Sequence, residues 1–198
     1  MIAGVSVRAD AIEELKELGV RDSKLLSPRR REALYPEIMR VCRWVQSVKI
    51  EPEEIDQTVR TGRKYRKLNY LEALYMARVI DRLKAREVTV DASDAVPERF
   101  RANIADHLRR KCTVVSRHHA DRDFPVVSAA SIVAKVRRDA AVRDLREKHG
   151  DFGSGYPSDP KTRIFFVEWL RTGEGLPSFV RKSWKTWERL EQELLAPL

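Results

Sequence analysis

Apolar and polar positions alternate with two periods along this chain, and the switches between them outline the elements. Residues 2–8 (IAGVSVR) read as a short strand. Residues 10–19 (DAIEELKELG) put Ile12, Leu15 and Leu18 on one helical face, with Asp10 and Glu13 spaced as a D-x-x-E capping box and Gly19 as the stop. The stretch SPRRREALYPEI opens a second helix, with Ser27 as cap and Pro28 at the first helical position. Residues 42–50 (CRWVQSVKI) alternate and predict a strand. Residues 67–84 form an amphipathic helix with Leu68, Leu71, Tyr75, Val79 and Leu83 near one face. EVTVD is a strand ending in Asp91, PERFRANIADHLRRK a helix, and CTVVS another strand. A helix over about 126–147 carries the small residues Val126, Ala129, Ala130, Val133 and Val136, so it can lie close to a sheet. GDFGSGYPSDP is a turn-rich loop. Helices over 161–171 and 183–195 follow, the last turning Trp184, Trp187, Leu190 and Leu194 inward.

Strands that alternate with helices imply an α/β domain whose sheet is at least partly parallel. The expected division is a main domain over 1–160 and a helical appendage over 161–198.

Charge narrows the class of partner. The 39 Lys and Arg outnumber the 30 Asp and Glu, giving a net charge of +9 that favours a polyanion. Cys42 and Cys112 belong to no C-x-x-C pair, which argues against a disulfide framework and a structural zinc site. No apolar run approaches the roughly 18 residues of a membrane span. The opening MIAGVSVRAD has no basic-then-apolar signal pattern, so a cytoplasmic protein is the expectation; a monomer with no membrane association is expected beside it.

Several side chains could carry chemistry, each with a plainer alternative. Asp91 ends a strand, where carboxylates of α/β sheets often face a ligand crevice. It could equally form a turn or a cap in DASDAVPE, a role for which Asp94 competes. Asp121 precedes the helix at 126 and could hold a hard cation such as Mg²⁺, or be an ordinary loop residue. His118 and His119, if in a strand, point to opposite sides, so at most one faces a site. Ser128 and Ser131 sit in the first two helical turns and can bond a phosphate or the backbone. Lys135 and Arg138 are neighbours on one face, available to phosphates or merely solvated. Tyr156 could stack on a sugar or base, offer its hydroxyl to a 2′-OH, or pack over the core. Lys24 could contact phosphate or pair with Asp22.

Taken in order, DSKLLSPRRRE, LNYLEALYMARVI, VTVDASD, HHADRDFPVVSAASIVAKVRRD and GSGYPSDPKT resemble type 2 ribonuclease H, ribonuclease HII, in its archaeal form. The resemblance implies a ribonuclease H-like fold: a central mixed sheet, flanking helices and a C-terminal helical segment. It implies an endonuclease that cuts the RNA strand of an RNA–DNA hybrid, and cuts 5′ to a ribonucleotide embedded in duplex DNA. The family uses four carboxylates with Mg²⁺ or Mn²⁺, and two such ions about 4 Å apart suit an in-line displacement. By that resemblance Asp91 and Asp121 are the third and fourth carboxylates, both catalytic and metal-binding. Tyr156 matches the tyrosine that senses the RNA–DNA junction. Lys135 and Arg138 match backbone-contacting cations, and Lys24 a further substrate contact. Ser128 and Ser131 join them as candidate substrate-binding residues.

The chain also departs from the pattern. The family's first strand, in the middle of its sheet, carries an adjacent aspartate–glutamate pair followed by a glycine–arginine–glycine turn. MIAGVSV aligns just after that segment. Either Met1 is an internal methionine or the chain is a defective relative. On this reading the 198-residue polypeptide cleaves weakly or not at all. The runner-up function is accordingly a catalytically defective relative that binds RNA–DNA hybrids without efficient cleavage. Asp123 offers an additional carboxylate but cannot replace a pair on another strand.

Overall fold

In the computed structural model, which describes residues 1–20, 23–62 and 68–195, the alternating run at Trp44–Val48 (β2) pairs antiparallel with Ile2–Ser6 (β1). The register sets Ile2 opposite Val48 and Ser6 opposite Trp44. Glu87–Asp91 (β3) pairs in parallel with Thr113–Arg117 (β4), from Glu87 opposite Thr113 to Asp91 opposite Arg117. The expected mixture of parallel and antiparallel strands is therefore present, divided between two two-stranded sheets among the described residues. The resemblance places another strand in the middle of the sheet. Here β1 and β3 are not hydrogen-bonded to each other, and both line one cavity of about 850 Å³.

Nine α-helices lie among the described residues: α1 (Ile12–Glu17), α2 (Pro28–Val41), α3 (Pro52–Thr61), α4 (Leu68–Leu83), α5 (Pro97–Ala105), α6 (Ala120–Asp123), α7 (Pro125–His149), α8 (Pro160–Arg171) and α9 (Lys185–Leu195). Some local signals act as read. Ser27 accepts the Arg30 N–H and Pro28 opens α2. Others are overruled. Asp10 does not cap, because Arg8 takes its carboxylate; it sits in a single 3₁₀ turn and α1 starts at Ile12. α5 stops at Ala105, short of the expected Lys111. α3 has no counterpart in the sequence reading.

The chain packs into two compact units. The first comprises Met1–Lys49 and Leu68–Arg138. The second comprises the described residues of Ile50–Lys67 and Asp139–Leu198. Within the first, α4 lies on β1, β2 and α5. Its core has two parts. Leu15, Leu34, Ile38, Ala129, Ile132 and Val133 gather where α1 and α2 meet α7. Ala73, Ala77, Phe100 and Ile104 gather around β3 and β4. Of the small residues read on α7, Ala129 and Val133 are fully buried, beside Ile132, and Val126, Ala130 and Val136 pack partly buried against the same core. Burial of Ile132 and Val133 contributes about 1.5–3 kcal/mol each.

The second unit is built on aromatic rings. Phe152, Phe166 and Trp187 are buried, with Phe165, Trp169, Phe179, Trp184 and Leu190 packed around them. The inward face read for the last helix holds at Trp187, Trp184 and Leu190; the Leu194 side chain lies outside the described residues. Asp56 of α3, buried, accepts the backbone N–H groups of Lys182 and Ser183 at 2.8 Å each, just before α9.

Candidate active site

The candidate site starts at the C-terminal end of β3. Asp94, and not Asp91, forms the turn that follows. Its carboxylate accepts the Val96 N–H at 2.9 Å and two bonds from the Arg99 guanidinium, which holds it below the usual carboxylate range. Asp91 is thereby left for another partner. Its Oδ1 accepts the backbone N–H of Ala120 at 3.1 Å, across 29 positions of sequence. The next residue is Asp121, only 3% exposed.

One backbone twist makes this contact. His119 has φ +57°, a left-handed conformation that L residues other than glycine seldom adopt. It turns the chain out of β4 into the single turn of α6. The strain costs about 1–2 kcal/mol. A hydrogen bond from a buried N–H to a carboxylate contributes about 1.5–3 kcal/mol, enough to offset it. The histidines are therefore not in a strand, and the opposite-sides argument does not apply to them. Both are exposed, and His118 Nε2 lies 3.3 Å from the Ala95 carbonyl oxygen. Asp121 sits in α6, not in a loop.

Asp91, Asp121 and Ser131 all line the cavity between β1 and β3. A smaller cavity of about 390 Å³ is lined by Lys16, Arg122, the exposed Asp123 and the buried Ser128. Among the described residues, no cluster of three or more His, Cys, Asp or Glu side chains is assembled. Two carboxylates are still an adequate protein contribution for one hard ion. Mg²⁺ is commonly held by one or two carboxylates together with waters and substrate phosphates.

The cations on α7 differ in their surroundings. Lys135 Nζ donates to Ser23 Oγ at 2.7 Å, and Ser23 Oγ lies 2.9 Å from Ser131 Oγ. Ser23 is fully buried beside the exposed Lys24. Lys135 is thus a partly buried, hydrogen-bonded cation. Arg137 turns inward to the Tyr35 hydroxyl at 3.2 Å and Ser47 Oγ at 2.6 Å. Arg138 is half-buried. The alternative pairing of Lys24 falls on Asp22, outside the described residues.

In the second unit Tyr156 is 49% exposed, so it does not pack into a core. The loop carrying it is held by Asp159 and Thr162. Neither residue was singled out from the sequence, although Asp159 before Pro160 is a helix-start signal. Ser23 was also missed: one serine between Asp22 and Lys24 gives no periodic or compositional cue.

Comparison with known proteins places the chain in a family. A family model described as Ribonuclease HII matches residues 1–187. Ribonuclease HII of Thermococcus onnurineus is 40% identical over 194 residues, covering 98% of this chain and 84% of its own. The crystal structure of ribonuclease H2 from Pyrococcus horikoshii superposes with a TM-score of 0.83 at 33% identity, covering 96% of this chain and 97% of that one. The RNase HII of the PCNA:RNase HII complex from Archaeoglobus fulgidus does so with a TM-score of 0.81 at 38% identity, covering 98% of each. No helix among the described residues is long and apolar enough to cross a membrane. With a family model matched over almost the whole chain and the ribonuclease H-like fold in place, this protein belongs to the ribonuclease HII family, endoribonucleases that act on RNA–DNA hybrids.

Proposed function

We propose that this chain cuts RNA–DNA hybrids, and DNA duplexes on the 5′ side of an embedded ribonucleotide, using Mg²⁺ or Mn²⁺ held by Asp91 and Asp121. One observation carries the proposal: Asp91 bonds the backbone of the residue adjoining the buried Asp121, so two carboxylates from separate elements line one cavity. Oxygen donors of this kind suit Mg²⁺ and Mn²⁺ over softer ions. When bound, the metal supplies Lewis acidity for a water nucleophile and for the leaving 3′-oxygen.

The remaining roles belong to the chain's own side chains. Lys24, Lys135 and Arg138 meet backbone phosphates. Lys135 does so from a position already fixed by Ser23, so little side-chain freedom is lost on binding. Ser128 and Ser131 are assigned to the substrate with them, and Tyr156 to the sugar whose 2′-hydroxyl distinguishes RNA from DNA. We assign the nucleolytic role to residues 1–160, the helical segment to 161–198, and a cytoplasmic, monomeric state to the protein.

The test is cleavage of a duplex with one embedded ribonucleotide in the presence of Mn²⁺. Contrary to the weak or absent cleavage expected from the sequence, the wild-type chain cuts 5′ to the ribonucleotide, while Asp91→Asn and Asp121→Asn bind the duplex and do not cut. A wild-type chain that binds without cutting, or an Asp91→Asn chain that cuts normally, overturns the proposal.

A further inference from the structure

The glycine-rich loop at 150–159 holds more order than its composition suggests. Four consecutive backbone N–H groups have acceptors. Gly153 donates to Asp151 Oδ1 at 3.1 Å, and Ser154 to Asp159 Oδ2 at 2.7 Å. Gly155 donates to Thr162 Oγ1 at 3.0 Å, and Tyr156 to Ser154 Oγ at 3.4 Å. The Tyr156 carbonyl then accepts the Asp159 N–H at 3.0 Å, closing a four-residue turn with Pro157 in its second position. Both peptide groups flanking the Tyr156 α-carbon are therefore fixed, while its ring stays half exposed.

Asp159 and Thr162 supply two of these four acceptors, for Ser154 and Gly155, the two residues just before Tyr156. Thr162 is fully buried, and its hydroxyl acts twice: it accepts from Gly155 and donates to the Phe152 carbonyl at 2.7 Å. Phe152 is anchored in the aromatic core. Asp159 uses Oδ1 as an ordinary cap on the Lys161 N–H at 3.0 Å. Its Oδ2 is not needed for capping and goes to the loop. The fit leaves no room at Gly153, whose φ is +73° and where a Cβ would lie 2.6 Å from Asp159 Oδ2.

We infer that Asp159 and Thr162 are positioning residues that preset the pose of Tyr156 before nucleic acid arrives, and so set the protein's discrimination between ribonucleotide-containing and all-DNA duplexes. This rests on the assignment of Tyr156 to the ribose. A capping role alone would need one carboxylate oxygen and no threonine hydroxyl. The second oxygen and the two-way hydroxyl hold the loop. Ordering such a loop in advance removes an entropic cost that would otherwise fall on binding.

The experiment measures affinity for a duplex with one embedded ribonucleotide against the same duplex in all-DNA form, in EDTA so that nothing is cut. Thr162→Val keeps the shape and loses both hydrogen bonds. It lowers the affinity ratio by about tenfold, equivalent to about 1.4 kcal/mol of lost preorganisation. Thr162→Ser restores the ratio. Asp159→Asn keeps one cap oxygen and presents an amide nitrogen that cannot accept from Ser154; it lowers the ratio too, and decides the matter if Thr162→Val does not fold. In a Tyr156→Ala background neither change has a further effect. If Tyr156→Ala collapses the ratio while Thr162→Val and Asp159→Asn leave it intact, the positioning inference fails and the tyrosine assignment stands. If Tyr156→Ala leaves the ratio intact, or the wild type does not discriminate, the tyrosine assignment fails first. A fall of equal size with and without Tyr156 shows a general structural effect and also overturns the inference.

Discussion

Replacing Asp91 by Ala and by Asn separates the architectural duty of this side chain from its chemical one. Asp91→Ala removes the acceptor of the Ala120 N–H, in a residue that is fully buried. An unsatisfied buried donor costs about 1–3 kcal/mol. Because Asp91 lines a cavity, water can reach part of the gap, so about 1–2 kcal/mol is the better expectation. For a chain of this size each kcal/mol moves the melting temperature by about 2–4 °C, giving a fall of about 2–8 °C. The strained turn at His119 also loses its compensation, which pushes the result toward the upper end. Asp91→Asn presents an amide oxygen to the same N–H. It costs no more than the difference between a charged and a neutral acceptor, about 1 kcal/mol, while removing the negative charge that a cation needs. The assay is differential scanning calorimetry with and without Mn²⁺. Wild type melts later with the ion; Asp91→Asn melts near the ion-free wild type and does not respond; Asp91→Ala melts lowest and does not respond. Equal melting temperatures for the two variants would refute the anchoring role, and a full Mn²⁺ response in Asp91→Asn would refute the metal role.

Further outcomes follow from other contacts. Gly4→Ala puts a methyl 2.7 Å from Leu83 Cδ1 and 2.8 Å from Val79 Cγ1. Leu83 can swing but β-branched Val79 cannot, so overpacking costs about 1–3 kcal/mol, checked by thermal melting, with Val79→Ala restoring part of it. The Ser154 N–H holds the Asp159 carboxyl down at about 2, and Lys161 does the same for Asp151. Their folded values lie below the ordinary one, so the stabilisation is complete above about pH 4 and lost as pH falls toward 2. Protection factors of the Ser154 and Gly153 amides, which donate to Asp159 and Asp151, that are the same at about pH 4 and about pH 2 would contradict this. Affinity for hybrid falls linearly on a log–log plot against salt, and Arg138→Ala flattens the slope by about one. An unchanged slope removes Arg138 from the phosphate contacts.

Short-range signals carried much of this fold. The run at 87–91 is a strand of the stated length, and Ser27–Pro28 starts a helix as read. Some of the failures trace to a competing partner, near or far. α3 was overlooked although Pro52 at its first position and Glu53 and Glu54 in its first turn are start signals; its one buried residue is Asp56, a carboxylate satisfied by amides far along the chain. Asp10 lost its cap role to an arginine two residues away. The candidate site was nameable by resemblance, yet its construction was not legible. The bond from Ala120 to Asp91 and the one from Lys135 to Ser23, separated by 112 positions, depend on packing that no local pattern encodes. The two-sheet arrangement likewise follows from which edges meet.

The tie from Asp56 to Lys182 and Ser183 has a consequence for the order of synthesis. Acceptor and first donor are 126 positions apart, so at roughly 5–20 residues per second the ribosome delivers the donor about 6–25 s after the acceptor. Every residue of the first unit has been made by Arg138, well before that moment. A nascent chain can therefore finish one unit while Asp56 still waits, exposed, for the last helix to arrive. A premature stop near residue 160 spares the first unit's whole sequence and leaves the acid on α3 permanently without those two amides.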